Sequence, residues 1–469
     1  MSKQKLAYIY LFFDLTAAAL TWSVFIFFRK IVNEGLAFES LSMLFPNFNF
    51  YGSLFIFPLC SLFFFIMSGF YLKPVRLSLS QVFFNTFLTT FITSVVVFFI
   101  LLLDDIVTSY QYYYYSLCAL FCLLFVSTLL FRTAITLLIR HKCKTKNSKW
   151  KINTLILGTG RNAVKAQYEL KKRAPYNHFT GYVRIDCSDE SKNATPVLGG
   201  IADLNRIVTN TKAEEIVIAV ENITDQQLYR LINRLFKCNI NIRIVPNLYE
   251  RFSGNIKMPD FKQNPFACLS EPSISEWESC VKRFGDILFS ALALALICPL
   301  IGVFAVLIKK ENNGSVFYLQ ERIGKNGRAF NIVKLRTMYA DAEKETPQLS
   351  SPTDARVTKI GTFLRKYRLD EIPQFWNVIK GDMSLVGPRP ERQYYIDKIT
   401  AKAPYYCLLY KIRPGLTSWG PIKIGYADTL DKMIERLNYD LLYMNNMSLP
   451  NDLKILILTV EIIFKGKGI

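Results

Sequence analysis

The stretch KRFGDILFSALALALICPLIGVFAVLIKK (residues 282–310) holds 25 residues between two basic pairs, Lys282-Arg283 and Lys309-Lys310. That length suffices to cross a bilayer. A spanning helix would put one basic pair outside and send the soluble regions before and after it to opposite sides. A re-entrant helix over residues 284–308, broken near Cys298-Pro299 because proline removes an intrahelical hydrogen bond, returns both flanks to the cytoplasmic face. Asp286 then sits at the interface instead of in hydrocarbon. The alternative is an ordinary fifth span kinked at Pro299.

Composition agrees with a membrane part. The chain has 469 residues, 51% hydrophobic and 14% aromatic, with a formal charge of +20. It is too long for one domain and too apolar to be wholly soluble. A basic excess raises nucleic acid as a partner, but here the basic runs sit at the ends of apolar blocks, which points to an anionic lipid surface and to no nucleic acid. The ten cysteines form no C-x-x-C pair and there are only two histidines. A zinc site, a disulfide framework and a histidine-based triad are therefore not expected, and the chemistry falls to carboxylates, lysines or arginines.

Four further apolar blocks of spanning length occupy residues 6–28, 51–72, 82–103 and 112–139. Lys3, Lys5, Lys73, Arg76, Arg140, Lys142, Lys144 and Lys146 flank them so that both ends of a four-span bundle face the cytoplasm, with Arg29 and Lys30 discordant. The first block reads as an anchor, not a removable signal peptide. Asp14 inside it is either functional or an acid facing the bundle. Beyond a basic linker, INTLILGTGRNAVKAQYELKK (152–172) reads as strand, glycine turn and helix, and GYVRID, EIVIAV and INIRIV as further strands. This is a small Rossmann-like α/β domain. Gly158, Gly160 and Ala163 form a G-x-G-x-x-A turn that could admit a pyrophosphate at a helix N-terminus, with Asp186 toward a ribose, or could simply make a tight turn.

After residue 310, VFYLQERIGKNGRAFNIVKLRTM (316–338) reads as two strands around a G-K-N-G turn, carrying Arg322, Lys334 and Arg336. In RKYRLDEIPQFWNVIKGDMSLVGPRP (365–390), Pro373 sets a helix start near residues 369–372 and Gly381 its stop, so Asp370 and Glu371 lie at the positive end of the helix dipole and are expected to be ionised. Alone, such a pair is a helix cap. Among cations beside a membrane, an ionised carboxylate can instead attack phosphorus, and carboxylate with phosphate oxygens is the hard ligand set that magnesium prefers.

The motifs QERIG (320–324), KLRTM (334–338), LDEIPQFWNVIKGDMSLVGPRPE (369–391), RPGLTSW (413–419) and SLPNDLKIL (448–456) resemble the bacterial polyprenyl-phosphate phosphoglycosyl transferases of the large monotopic class. The resemblance is close over residues 281–465, and the N-terminal bundle and middle domain are similar to those of large members. It implies four regions: a four-helix transmembrane region (1–140), a Rossmann-like domain (141–250), a linker (251–280), and a mixed α/β monotopic catalytic domain (281–469) with the re-entrant helix. It implies that Asp370 attacks the β-phosphorus of a UDP-sugar, releasing UMP, and that undecaprenyl phosphate then takes the phosphosugar. The enzyme would sit in the bacterial inner membrane with its catalytic domain on the cytoplasmic face, with a homodimer as a candidate assembly. Its product would initiate a capsule, exopolysaccharide or O-antigen lipopolysaccharide unit. Glu371 matches a magnesium-binding acid; Arg365 and Arg389 match basic motif positions. Lys334, Arg336, Asp382, Arg413 and Asp452 fall on substrate-site positions, and Asp286 and Pro299 on re-entrant-helix positions.

One departure is Gly420-Pro421, where many members carry Ala-Gln followed by Asn-Gly-Arg, which affects sugar and uridine recognition. Two rivals remain: a membrane-bound nucleotide-sugar dehydratase, for which Tyr168/Lys172 and Tyr394/Lys398 supply Tyr-x-x-x-Lys pairs, and an inactive scaffold of a polysaccharide assembly complex.

Overall fold

The computed structural model describes residues 3–34, 48–72, 74, 78–102, 111–144, 151–173, 176–185, 196–221, 223–238, 240–245, 266–269, 274–311, 314–339, 354–425 and 427–465. Lys73, Arg76, Lys146 and Asp186 lie outside them. The chain divides into two compact units, one of residues 1–152 with 174–178 and one of residues 153–173 with 179–469.

In the first unit the four N-terminal apolar blocks form helices α1 (Lys3–Glu34), α2 (Phe48–Met67), α3 (Leu79–Leu102) and α4 (Gln111–Lys144). By length and composition α1, α3 and α4 could each cross a membrane, whereas the apolar stretch of α2 covers only Tyr51–Met67. Trp22 stacks on Phe57 at 4.4 Å within a core that includes Phe25, Phe65, Leu120 and Leu124. Phe12, Phe55, Phe84 and Leu130 point outward, as side chains facing lipid would. Asp14 faces the bundle. Its carboxylate takes Arg132 Nη2 at 2.8 Å and the Tyr71 hydroxyl at 2.5 Å, Arg132 Nη1 reaches Thr86 Oγ1 at 3.1 Å, and both charged side chains are fully buried. An acid inside an apolar helix is thus held by its own counter-ion.

In the second unit the alternating segments build an α/β region: β1 (Ile152–Leu157), α5 (Arg161–Arg173), β2 (Asn177–Arg184), β3 (Val197–Gly200), α6 (Leu204–Thr211), β4 (Glu215–Ile218), α7 (Asp225–Lys237), β5 (Asn241–Ile244) and β6 (Ala267–Cys268). The sheet order is β3-β2-β1-β4-β5-β6. The β1–β4, β4–β5 and β2–β3 pairs are parallel and β5–β6 is antiparallel. β4 is buried at all four residues, its apolar Ile216–Ile218 run and its Glu215 paired with Arg243 of β5, as a sheet covered on both faces requires.

The remainder comprises α8 (Glu276–Glu311), β7 (Phe317–Ile323), β8 (Ala329–Leu335), α9 (Lys359–Lys366), α10 (Gln374–Lys380), β9 (Ser384–Val386), α11 (Gln393–Lys402), β10 (Gly415–Thr417), α12 (Trp419–Ile424), α13 (Leu430–Asn445) and α14 (Leu449–Phe464). β7 and β8 form an antiparallel hairpin, and β9 pairs with β10 in parallel. A 3-10 segment, Pro404–Lys411, packs against α7: Phe236 meets Tyr410 at 6.2 Å, and the Cys407 thiol donates to the Tyr229 carbonyl. One apolar core therefore runs from the parallel sheet into this half.

Helix α8 is long and apolar enough to cross a membrane. It corrects one expectation, because Pro299 lies inside a single helix and no interruption occurs at Cys298-Pro299. An interior proline forfeits one backbone bond and kinks a helix, and long apolar flanks carry the helix past it. Both ends of α8 are tied to short helices of this half. Arg283 donates to the carbonyls of Val378 (2.8 Å) and Ile379 (3.1 Å), capping the C-terminus of α10. Glu311 accepts from the amides of Lys359 (2.7 Å) and Ile360 (3.0 Å), capping the N-terminus of α9.

Candidate active site

The acidic pair does not open a helix. Arg368 takes a left-handed conformation (φ 53°) that ends α9, and residues Leu369–Glu371 form a separate 3-10 turn ahead of α10. The α-helical ladder cannot run back through Pro373, which has no N–H to give, so the turn closes instead by Glu371 N to Arg368 O at 3.2 Å and Ile372 N to Leu369 O at 3.3 Å. Gly381, at φ 102°, ends α10 as its glycine suggests. The turn faces β8, whose Lys334 reaches Glu371 Oε1 at 3.2 Å. Arg389, from the G-P-R-P segment, reaches the same oxygen at 2.8 Å.

Both carboxyls are buried, and their surroundings push them apart. Burial raises Asp370, the Glu371 charge adds to it, and Lys334, Arg365 and Arg389 counter only in part, leaving Asp370 at about 6. Burial would raise Glu371 too, but Arg389, Lys334 and Arg368 hold it well below the usual carboxylate range. Glu371 is therefore a fixed anion clamped by two cations, and Asp370 is the carboxyl that exchanges its proton near neutrality. Burial pushes the Lys334 ammonium down while Glu371 pulls it back up. Arg365 stands behind the pair, its Nε on Thr337 Oγ1 at 2.9 Å.

Arg389 is held in turn. Arg322 Nη1 donates to the Pro390 carbonyl at 3.0 Å, and Glu391 is ion-paired to Arg436. Arg322 stands out in the sequence as a cation on its strand, whereas Arg436 carries no local signal, although its partner Glu391 directly follows the Pro-Arg-Pro motif. Arg436 also accounts for Gly420, since a Cβ there would lie 2.1 Å from Arg436 Cγ.

Other expected site residues sit elsewhere. Arg336 follows the end of β8 and donates to Ser315 Oγ at 2.7 Å. Asp382 pairs with Lys380 at 3.3 Å, and Arg413 Nε donates to the Gly381 carbonyl at 3.0 Å. Asp452 binds Lys282 Nζ at 2.5 Å and accepts from the Tyr443 hydroxyl at 2.6 Å. Asp286 accepts from Ser384 Oγ at 2.6 Å and Leu385 N at 3.3 Å, so it moors α8 to β9. Pro299 is exposed on α8. None of these hydrogen bonds is made to the acidic pair, and their evident contribution is to the frame.

The glycine turn carries its own anion. Gly158 has φ 109° and would place a Cβ 2.8 Å from the Ala219 carbonyl, which accounts for glycine there, and Ala163 is fully buried beneath the turn. A Cβ on Gly160 would lie 3.0 Å from the carboxyl carbon of Glu221, whose Oε1 accepts from Asn162 N at 2.6 Å. Glu221 thus stands at the α5 N-terminus, beside the turn whose sequence reads either as a pyrophosphate cradle or as a tight turn. The Tyr-x-x-x-Lys pairs are surface pairs one helical turn apart, with Lys398 Nζ on the Tyr394 hydroxyl at 2.7 Å and Tyr168 well exposed.

Among the described residues no group of three or more His, Cys, Asp or Glu could hold a metal ion. Two adjacent carboxylates nevertheless suit a magnesium ion whose remaining ligands are water and substrate phosphate oxygens.

Residues 277–466 match the family model described as bacterial sugar transferase, and residues 68–246 match one described as CoA-binding domain. An Aeromonas hydrophila protein named UDP-N-acetylgalactosamine-undecaprenyl-phosphate N-acetylgalactosaminephosphotransferase is 36% identical over 239 residues, 51% of this chain and 56% of that protein. An Escherichia coli protein named UDP-glucose:undecaprenyl-phosphate glucose-1-phosphate transferase is 32% identical over 281 residues, 58% of this chain and 60% of its own length. A Caulobacter vibrioides protein of the same name is 40% identical over 181 residues, 38% of this chain and 68% of its own length. The chain therefore spans between half and two thirds of the first two of these relatives.

Proposed function

Since the chain belongs to the bacterial sugar transferase family, we propose that it transfers a sugar 1-phosphate from a UDP-hexose to undecaprenyl phosphate, through an aspartyl-phosphosugar intermediate on Asp370. The carrying observation is the split pair: Glu371 is neutralised by Lys334 and Arg389, and among the described residues no cation makes a direct ion pair with Asp370. An Asp370 oxygen bonds to the β-phosphorus as the bond from that phosphorus to the bridging oxygen breaks, and UMP leaves with the bridging oxygen. A phosphate oxygen of the polyprenyl acceptor then displaces the carboxylate, restoring Asp370 and giving undecaprenyl-diphosphate sugar. Lys334 and Arg389 hold Glu371 in place and face the phosphate charge as it shifts. Magnesium, held by Glu371, would neutralise diphosphate charge when bound.

The reaction is proposed for the cytoplasmic face of the bacterial inner membrane, as the first step of a surface polysaccharide. Re-entry of α8 is supported by its moorings. In a straight helix Arg283 and Ile308 would lie about 38 Å apart, at about 1.5 Å per residue. Yet Arg283 holds Val378, whose neighbour Asn377 takes the amide of Val333 at 3.0 Å, and Val333 is two residues along β8 from Leu335, which clusters with Ile308. A bent helix closes that short circuit and returns both ends to one face.

The test is a mass measurement. Enzyme given UDP-sugar and no acceptor should gain one phosphosugar on the peptide carrying Asp370 and release about one equivalent of UMP, while Asp370→Asn, folded and inserted, gains nothing. An enzyme that turns over but shows no adduct after rapid quenching would remove Asp370 from the role. A dehydratase would release no UMP, and a scaffold would release nothing.

A further inference from the structure

At the foot of α8, apart from the acidic pair, a cavity of about 50 Å³ is lined by Lys282, Arg283, Lys325, Lys411 and Arg413, with Asp286 as its acidic member. That volume admits a few waters or one tetrahedral oxyanion. Most of these side chains are already engaged. Lys282 is paired with Asp452, Arg283 caps α10, and Arg413 binds the Gly381 carbonyl through Nε alone. Asp286 is occupied by Ser384 and the Leu385 amide.

Lys411 is the exception. Its residue is 9% exposed, it closes the buried 3-10 segment Pro404–Lys411, and among the described residues its ammonium has no hydrogen-bond or ion-pair partner. Burial pushes it down from its usual range, with only the thiols of Cys268 and Cys407 acting to raise it. An unpaired ammonium at such depth is costly unless an anion meets it. Five cations against Asp286, and Asp452 behind Lys282, leave the cavity strongly positive, which suits a dianion or a phosphodiester.

The location says where that anion comes from. Lys282, Arg283 and Asp286 belong to the turns of α8 immediately before and within its exposed apolar stretch, which begins with Phe284, Ile287, Leu288 and Phe289. Side chains at this level meet lipid headgroups while the residues beyond them meet acyl chains.

We propose that this cavity is a lipid-phosphate site, in which Lys411 and Arg413, with Arg283 and Lys325 alongside, receive the phosphate of an anionic membrane lipid and moor the base of α8 at the headgroup plane. The acidic pair contributes no residue to it, so lipid retention can be read without turnover, and its failure would leave the phosphotransfer proposal untouched.

The full-length protein, delipidated in detergent, would be examined by native mass spectrometry against three probes: phosphatidylglycerol, diacylglycerol with the same acyl chains, and inorganic phosphate. One phosphatidylglycerol should be retained, diacylglycerol should not, and inorganic phosphate at equal concentration should not displace the lipid. Lys411→Met keeps the length of the side chain and removes the charge. It should unfold at the same or a higher temperature than wild type and bind phosphatidylglycerol at least ten-fold more weakly, whereas Lys411→Arg should keep most of the binding. Arg413→Gln should weaken binding in the same direction. Equal retention of phosphatidylglycerol and diacylglycerol, unchanged binding by a folded Lys411→Met, or uptake of inorganic phosphate without any retained lipid would each overturn the assignment.

Discussion

Asp370 can act as a nucleophile only when ionised, and its environment sets the pH at which that holds. With its pKa at about 6, the ionised fraction falls from nearly complete at about pH 7.5 to roughly a tenth at about pH 5. The expected kcat/KM for the UDP-sugar therefore drops about ten-fold over that interval, with a limiting slope of about one decade per pH unit. The sign follows from the shift: a carboxyl raised above its usual range loses its charge, and its reactivity, as pH falls through the folded value. Initial UMP release, with metal limiting so that the free protein's ionisation governs, would give the profile. Perturbing the neighbours should move the limb in opposite directions. Glu371→Gln removes a like charge and turns Lys334 and Arg389 toward Asp370, so its acid limb should shift to lower pH even though its rate is reduced. Lys334→Met removes a stabilising cation and should shift the limb upward. The two carboxyls are coupled, so the limb belongs to the pair in wild type and to Asp370 alone in Glu371→Gln. A flat profile down to pH 5, or a limb that stays put in both variants, would refute the assignment of Asp370 as the titrating nucleophile.

Three further outcomes are expected. Asp14→Asn leaves the fully buried Arg132 without its counter-ion and should destabilise the N-terminal bundle by about 3–5 kcal/mol, read as a lowered unfolding temperature, while Asp14→Leu with Arg132→Met should recover most of the loss. Gly420→Ala forces a Cβ to within 2.1 Å of Arg436 Cγ, so Arg436 must leave Glu391; kcat/KM should fall in a folded protein, and adding the change to Arg436→Ala should cost little more, a coupling measurable as a double-mutant cycle. Trp277→Cys and Lys310→Cys, at exposed positions on either end of α8, should both be shielded from an impermeant thiol reagent in intact cells and both react in inverted vesicles; opposite accessibility would make α8 a true span.

What could be read in advance follows from what carries each signal. Apolar blocks announce helices such as α1 and α3 because burial in lipid is a property of composition summed over about 20 residues, which no tertiary detail can undo. Short β-branched-rich apolar runs bounded by turns announce β1, β4 and β5, since they are too short for buried helices and suit strands buried on both faces. The acidic pair was legible as chemistry because Lys334, Arg365 and Arg389 recur around it in motifs. Motifs do not say which site a residue serves: Arg413 and Asp452 fall on substrate-site positions, yet Arg413 binds the Gly381 carbonyl beside a separate cavity and Asp452 ties down Lys282 at the base of α8. The glycine turn is open for a different reason. Gly158 is required by its φ of 109° and its approach to the Ala219 carbonyl, while at Gly160 a carboxylate stands at the helix start, a place that suits a phosphate equally; Glu221 follows its strand with nothing in the local pattern to mark it. Arg436 had no local signal at all, since its pairing with Glu391 is made only by the packed fold.

The charges flanking α8 show how one pattern can have two causes. Lys282-Arg283 and Lys309-Lys310 were weighed as paired topological signals, yet Lys282 is committed to Asp452 and Arg283 to the carbonyl end of α10. A cation required for a salt bridge or a helix cap would be present on either side of a membrane, so the first pair carries little orientation information by itself. Lys309 and Lys310 are exposed, and Glu311 beside them caps α9. The weight of the re-entrant proposal therefore shifts from charge symmetry to mooring: the two ends of α8 are fastened to α10 and α9, each of which packs on β8, an arrangement that favours a bent helix over a straight one. The thiol-accessibility pair separates those causes, because capping and pairing would survive any reorientation of charge while the common exposure of positions 277 and 310 would not.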